Sequence, residues 1–276
     1  VTSTSTTTLT DVQSRRDDRN IPIDLVGVSD LRYPIVVWER GGGRQETIAQ
    51  IAMSVSLPHD FKGTHMSRFI EVLNRHRGEV TIRTMPLILA DLKQHLDAER
   101  ARVEVAFPYF MERTAPVSQA RSLMDYECRF VGELSDTAND FILTVTVPVN
   151  SLCPCSKEIS DYGAHNQRGY VTVEVRCGQD EGGAPAMIWI EEVVEVVEQS
   201  ASSPVYPLLK RVDERHVTMQ AYENPAFVED IVRNVIQVFR EDPRPNWLKV
   251  TAVNDESIHN HRAFAQSVWT RTDRPS

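Results

Sequence analysis

The sequence predicts an α+β fold: antiparallel sheets with helices packed on one face, in two tandem ββααββ units. Three observations carry this. Strand-like and helix-like stretches run in the order β-β-α-α-β-β, and that order occurs twice in 276 residues. The clearest strand stretches alternate apolar and polar residues, as half-buried strands do. The helical stretches carry apolar residues at helical spacing. A duplicated unit of roughly 110–120 residues is more economical than one irregular domain.

Taken in order, "YPIVVWE" (33–39) and "QETIAQIAMSVSLP" (45–58) read as strands, with "GGGR" (41–44) as the turn between them. "GTHMSRFIEVLNRHRGE" predicts a helix over 65–76. "MPLILADLKQHLDAERA" predicts a second, with Leu87, Leu89, Leu92 and Leu96 as its apolar positions. Strands follow at 102–112 and 122–134. The second unit opens with strands at 140–152 and 168–177, the latter ("RGYVTVEVRC") alternating cleanly. Helices are expected over 186–202 and 224–242, the second with Asn224 as cap and Pro225 in the first helical position. "WLKVTAVND" (247–255) and "RAFAQSVW" (262–269) complete the pattern as strands. The divisions are a polar, low-complexity tail at 1–20, a first unit at 21–135, a second at 136–271 holding most of the candidate site, and a short tail at 272–276. Sheets of this kind have edges that need covering, so a homo-oligomer is expected.

Composition narrows the function. Hydrophobic residues make up 41% and charged residues 25%, ordinary for a globular protein. The formal net charge of −9 disfavours a general nucleic-acid surface, which is normally basic. No apolar run reaches the ~18–20 residues of a membrane span. The first residues lack the apolar core of a secretory signal, which points to the cytoplasm, where a disulfide is not expected. An anionic small substrate would need a local gathering of cations, for which "LLKR" (208–211) and Arg168 are candidates; plain surface charge is the simpler reading of each.

The chemistry concentrates in "SLCPCSKEISDYGAHNQRG" (151–169). Cys128 and Cys177 lie in strand-like runs and read as small buried apolar groups. Cys153 and Cys155 instead follow a strand end, with Pro154 expected to hold the chain extended between them, and His165 comes ten residues later. Thiolate and imidazole together suit zinc or another borderline divalent ion. With no second cysteine pair downstream, a closed four-cysteine site is excluded within one chain, and an open coordination position is the catalytic pattern. A reactive thiol with a histidine partner, or an ordinary loop, remain the alternatives. "NDESIHNHRAF" (254–264) adds Glu256, His259 and His261 at a strand end. The two histidines alternate by two and would face one side of an extended chain, unless the segment is simply a solvated loop. Glu214 is a candidate oxygen ligand or acid/base. Glu229, expected in the second turn of its helix, has the structural role of complementing the helix dipole beside any functional one.

Together these residues resemble the GTP cyclohydrolase IB family. The resemblance rests on "SLCPCSKEISDYGAHNQRG", "YPLLKRVDERHVT", "AYENPAFVED", "ESIHNHRAF" and "LPHDFKGTHMSRF" (57–69), and spans about residues 20–270. It implies the tunnelling fold, with two ββααββ modules in tandem and a homotetramer with sites at subunit interfaces. It implies opening of the guanine imidazole ring of GTP to give formate and 7,8-dihydroneopterin triphosphate, which feeds tetrahydrofolate and, in many bacteria, queuosine. A divalent metal (zinc, manganese or iron) is implied at Cys153, His165 and Glu214. Cys155 is implied as a catalytic thiol or alternative ligand. Glu229 is implied as the anchor of the heterocycle, and Glu256, His259 and His261 as the acid/base cluster. Val212 departs from the proline more familiar at that position. The alternatives are a related archaeal-type enzyme giving a cyclic phosphate, a non-catalytic metal-stabilised binding module, and a nitrile-reducing relative, for which no GxGxxG nicotinamide fingerprint is present.

Overall fold

The structure, a computed structural model, describes residues 12, 13, 15–76, 80, 81, 83–178 and 186–271. Among these the chain forms β1 (Ile23–Trp38), β2 (Arg44–Leu57), α1 (Met66–Arg75), α2 (Met85–Leu96), β3 (Ala101–Thr114) and β4 (Arg121–Leu134). It continues with β5 (Asn139–Leu152), α3 (Pro154–Ile159), β6 (Asn166–Cys177), α4 (Ile190–Ser200), β7 (Ser203–Pro204), α5 (Arg211–Glu223), α6 (Val228–Glu241), β8 (Pro245–Asp255) and β9 (Arg262–Thr270). The strands make one antiparallel sheet in the order β1-β2-β3-β4-β5-β6-β8-β9, with β7 paired to the end of β5. The chain leaves this sheet for a long helical excursion twice, between β2 and β3 and between β6 and β8. No helix among the described residues is long and apolar enough to cross a membrane.

Alternation explains which face is covered. In β6, Gln167, Gly169, Val171, Val173 and Val175 are buried, whereas Arg168 and Tyr170 are exposed. The buried rows join Phe69, Leu89 and Leu92 of the first helix pair and Val193, Val197, Ile231 and Val235 of α4 and α6 in one core cluster. The opposite face leaves Ile48, Leu123, Phe264 and Val268 more than half exposed.

The structure differs from the sequence expectations in five respects. β1 begins ten residues earlier than expected, with a register shift between Val28 and Leu31 where Asp30 takes φ 59°. Two unexpected helices, α3 and α5, lie in the second half. Pro154 does not keep the cysteines extended: it occupies the first helical position of α3, capped by Cys153. Asn224 and Pro225 do not start a helix. Asn224 ends α5, and α6 begins at Val228 with Phe227 in the cap position, so Glu229 lies in the first turn and not the second. Part of the expected tail is also tied down, since Arg16 bridges Phe61 and Asp17 N donates to Asp60 O. Residues 1–11 and 272–276 lie outside the described residues.

α2 lies close enough to β4 to require a glycine. A Cβ on Gly132 would sit 2.4 Å from Cγ of Met85, which is itself only 1% exposed. Gly132→Ala is therefore expected to cost about 1–3 kcal/mol by overpacking, read as a lower denaturant midpoint with an unchanged slope.

Candidate functional site

The site is built where the strands of the second half end. Ser151 is fully buried, and its Oγ donates to Ala226 O at 2.9 Å while accepting from Asn254 Nδ2 at 3.0 Å. Leu152 N donates to Ser202 Oγ, and Ala226 N donates to Leu152 O at 3.1 Å. Four segments far apart in sequence are thus joined through buried polar groups, each of which would be costly to leave unpaired. Gly169 makes room for this arrangement, since a Cβ there would meet Asn254 Oδ1 at 2.5 Å.

Cys153, Glu229 and Glu256 lie on segments that leave this knot. Cys153 follows Leu152 and caps α3, its Sγ accepting from Ser156 N at 3.4 Å. Its own N–H donates to His165 O at 3.1 Å, and His165 N donates to Ser156 Oγ at 3.2 Å, so thiol and histidine share one small hydrogen-bonded loop. Both are half-buried, whereas Cys155 is exposed on α3. Ser257, from the β8–β9 connection, places Oγ 3.3 Å from His165 Nδ1. That contact fixes the ring and leaves Nε2 as the nitrogen for a ligand. Lys157 closes the loop from outside, donating to Tyr222 O at 2.6 Å and lying over the Tyr222 ring.

The structure brings Cys153 and His165 together, with the 254–262 segment beside them through Ser257. It does not gather Glu214 into the same cluster: among the described residues no three His, Cys, Asp or Glu side chains are placed to hold a metal. Glu214 is exposed in the first turn of α5, and Glu229 is exposed in the first turn of α6. Glu256 is half-buried. His259 and His261 are exposed and do face the same way, but in a bend and not an extended strand; their rings stack at 4.9 Å and 18°. The donor set of Cys153 and His165 suits a borderline divalent ion.

A cavity of about 460 Å³ adjoins this centre, with Asn166 and Ser257 in its wall. A second cavity, of about 470 Å³, lies at the other end of β5 among Trp38, Phe141 and Trp189, and shares no residue with the cysteine loop.

Sequence reading missed Ser257 and Asp213. Ser257 stood in plain view between Glu256 and His259 but carries no metal-ligand signal of its own. Asp213 is fully buried and accepts from Val117 N, Ser118 N, Ser118 Oγ and Lys210 N, tying the start of α5 to the β3–β4 turn. Its signal was an acidic residue three positions after the helix cap.

Residues 9–265 match the family described as type I GTP cyclohydrolase folE2. The chain belongs to the type I GTP cyclohydrolase FolE2 family. It is 54% identical over 255 residues to GTP cyclohydrolase FolE2 of Syntrophotalea carbinolica, covering 92% of this chain and 93% of that one. It is 50% identical over 255 residues to GTP cyclohydrolase FolE2 of Nitrosococcus oceani, with the same coverage. The FolE2 name replaces the IB label under which the sequence resemblance was read. Among solved structures the fold is similar to uricase from Arthrobacter globiformis (TM-score 0.53, 10% identity, 92% of this chain and 95% of that one). It is also similar to urate oxidase from Bacillus sp. TB-90 (TM-score 0.55, 8% identity, 90% of this chain and 100% of that one). At such identities the likeness is one of fold: a mixed α/β protein with an antiparallel sheet and helices on one face.

Burial alone raises the Asp213 pKa, but the Ser118 hydroxyl and three backbone N–H groups outweigh it and hold the carboxyl well below the usual carboxylate range. A depressed carboxylate stabilises the fold fully above its unfolded pKa of about 3.9, and this is lost as pH falls through the folded value. Asp213→Asn is expected to lower Tm at neutral pH. The gap to wild type should narrow as pH drops below about 4, which thermal melts from pH 2 to 7 would record.

Proposed function

We propose that this chain opens the imidazole ring of GTP, releasing formate and yielding 7,8-dihydroneopterin triphosphate for tetrahydrofolate biosynthesis. The observation that supports the reading is that Cys153 and His165 lie in one loop joined by backbone and Ser156 hydrogen bonds, in a chain of the FolE2 family. We assign Cys153 and His165 to a divalent metal (zinc, manganese or iron), with Glu214, which the single chain does not gather with them, as the third ligand. When bound, such an ion supplies a Lewis acid and makes water a better nucleophile near pH 7.

The chain's own groups do the rest. Glu229 accepts hydrogen bonds from the guanine ring N–H and exocyclic amine, fixing the ring so that C8 faces the Cys153–His165 pair. C8 is a poor electrophile until N7 is protonated, and His259 or His261 supplies that proton near neutral pH. Glu256, half-buried beside Ser257, is placed to return protons as the formamide is hydrolysed and the sugar rearranges. Cys155 stands by as a second thiol. Ser257 keeps the His165 ring oriented.

The fold is read as two tandem ββααββ tunnelling-fold modules, 21–135 and 136–271, in a cytoplasmic homotetramer. Exposed Ile48, Leu123, Phe264 and Val268 on the helix-free face support an assembly that covers that face.

Metal-loaded protein incubated with GTP should release formate and give neopterin fluorescence after oxidation and phosphatase treatment. Cys153→Ala should lose the bound metal and the activity together. Glu229→Ala should keep the metal but lose turnover by about 100-fold or more. Metal binding without formate, or full activity of Glu229→Ala, would identify a non-catalytic metal protein. Fluorescence that does not depend on phosphatase in the expected way would identify a cyclic-phosphate product.

A further inference from the structure

The cavity of about 470 Å³ at the far end of β5 contains none of the candidate residues for the ring chemistry. It lies between the two helical excursions, against the helix-covered face of the sheet. Trp38 at the end of β1 and Pro86 at the start of α2 line one side. Phe141 of β5 and Trp189, the cap residue of α4, line the other. Its volume falls in the range of small-molecule pockets, about 300–1,000 Å³. Hydrogen bonds hold its walls in place. Trp189 N donates to Glu192 Oε2 at 2.8 Å, and Arg244 donates to Met187 O at 2.9 Å and to Glu192 Oε1 at 2.8 Å. Two residues past Trp38, Arg40 N donates to Glu191 Oε1 at 2.9 Å, and the Arg40 guanidinium donates to both carboxylate oxygens of Glu195, at 2.9 and 3.0 Å. Both tryptophans are thus tied to α4. A pocket whose walls are already fixed loses little to ordering when a ligand enters.

The lining selects the ligand. Four of its side chains are aromatic: Trp38, Phe130, Phe141 and Trp189, with the Phe130 and Phe141 ring centroids 5.4 Å apart. Such walls favour a flat ring. The charged side chains of the lining are one of each sign, Asp140 and Arg176, and Arg176 Nε donates to Asp140 Oδ2 at 2.8 Å. The lining therefore carries no surplus charge to hold a phosphate or an ammonium group. Arg176 is also fixed over the Trp247 ring, 4.3 Å from its centroid. Asp140 Oδ1 and the Arg176 Nη groups take no part in the bond between the two, so the pair offers an acceptor beside donors. A lactam edge, with an N–H next to a C=O, is the complement of that arrangement.

We propose that this cavity is a second small-molecule site, for a neutral, flat, two-ring heterocycle whose lactam edge pairs with Asp140 and Arg176. Its walls come from β1 and α2 on one side and from β5, β6 and the start of α4 on the other. An occupant braces these elements against one another and stabilises the fold by mass action.

The probe is quinazolin-4(3H)-one, which is neutral and has two fused rings and one lactam edge. Its binding is measured by calorimetry and by the rise in Tm on wild type, Phe141→Leu, Asp140→Ala and Glu229→Ala. Wild type should bind with a dissociation constant of about 100 µM, and Phe141→Leu and Asp140→Ala about tenfold more weakly. The 3-methyl derivative, which lacks the N–H, should bind wild type about tenfold more weakly than the parent but bind Asp140→Ala no more weakly than the parent does. The probe also resembles half of a purine, so Glu229→Ala separates this cavity from the proposed guanine anchor: it should bind the probe as wild type does. Absence of saturable binding overturns the proposal. So does binding that Phe141→Leu and Asp140→Ala leave unchanged, or binding that Glu229→Ala abolishes. Melts without probe show whether each variant is folded, and if Phe141→Leu is not, the methyl comparison between wild type and Asp140→Ala decides alone. None of these readouts needs turnover of GTP, so failure of the proposed activity and failure of this site are told apart.

Discussion

The hydrogen bonds around Ser151 hold the second half of the molecule to one plan. Ser151 is buried at the end of β5, and its hydroxyl links Ala226 and Asn254 while Leu152 links Ser202 and Ala226. Breaking one of these links would strand a buried donor or acceptor at a cost of about 1–3 kcal/mol. The knot therefore fixes where three stretches of chain leave the core. Cys153 departs one residue beyond it, Glu256 two residues beyond Asn254, and Glu229 three residues beyond Ala226. Segments far apart in sequence lie side by side because they share this small polar cluster. Three of the candidate residues lie on the segments leaving it, a common division between scaffold and site.

Helix ends then orient what the knot delivers. α3, α5 and α6 all begin near this end of the sheet, and each presents a candidate residue at its cap or first turn: Cys153, Glu214 and Glu229. The unpaired N–H groups and dipole of a helix start favour negative charge there. This gives the two glutamates a structural reason to exist beside any functional one, and both side chains are exposed in the single chain. Asp213 does the opposite task at the start of α5. It is spent entirely on internal donors, which makes it a fastening, while Glu214 beside it stays free.

The long strands and the helices α1, α2, α4 and α6 were legible because burial there follows a simple period. "RGYVTVEVRC" alternates in sequence and alternates in burial. What escaped had other causes. α5 buries only Asp213 and Ala221, so it has no apolar stripe to read. The first part of β1 is largely exposed edge strand, interrupted by a bulge at Asp30, and so lacks alternation. The proline rule misled at Asn224–Pro225 and applied at Cys153–Pro154, where it was not invoked. The difference is tertiary: Ala226 N is bonded to Leu152 O, which holds the chain out of helical geometry until Phe227. The cysteine–histidine pair was legible as chemistry. The role of Ser257 was not, because a serine becomes meaningful only once the fold sets it 3.3 Å from an imidazole.

Of the eight candidate residues, five are exposed in the single chain: Cys155, Glu214, Glu229, His259 and His261. A carboxylate that anchors a purine in open water gains little, because water competes for the same hydrogen bonds; the pairing is strong only where the surroundings are dry. In the single chain Cys153 and His165 share one loop beside a cavity whose wall includes Arg168 and Asp255, and most of the proposed acids and bases are solvated. The helix-free face adds exposed aliphatic and aromatic side chains that water disfavours. One event, the seating of another copy against these surfaces, would remove both defects, drying the carboxylates and burying the apolar residues together. In that physical sense the proposed tetramer would belong to the catalytic apparatus: the knot at Ser151 fixes where the segments leave the core, and a neighbour would exclude the solvent that weakens the proposed contacts.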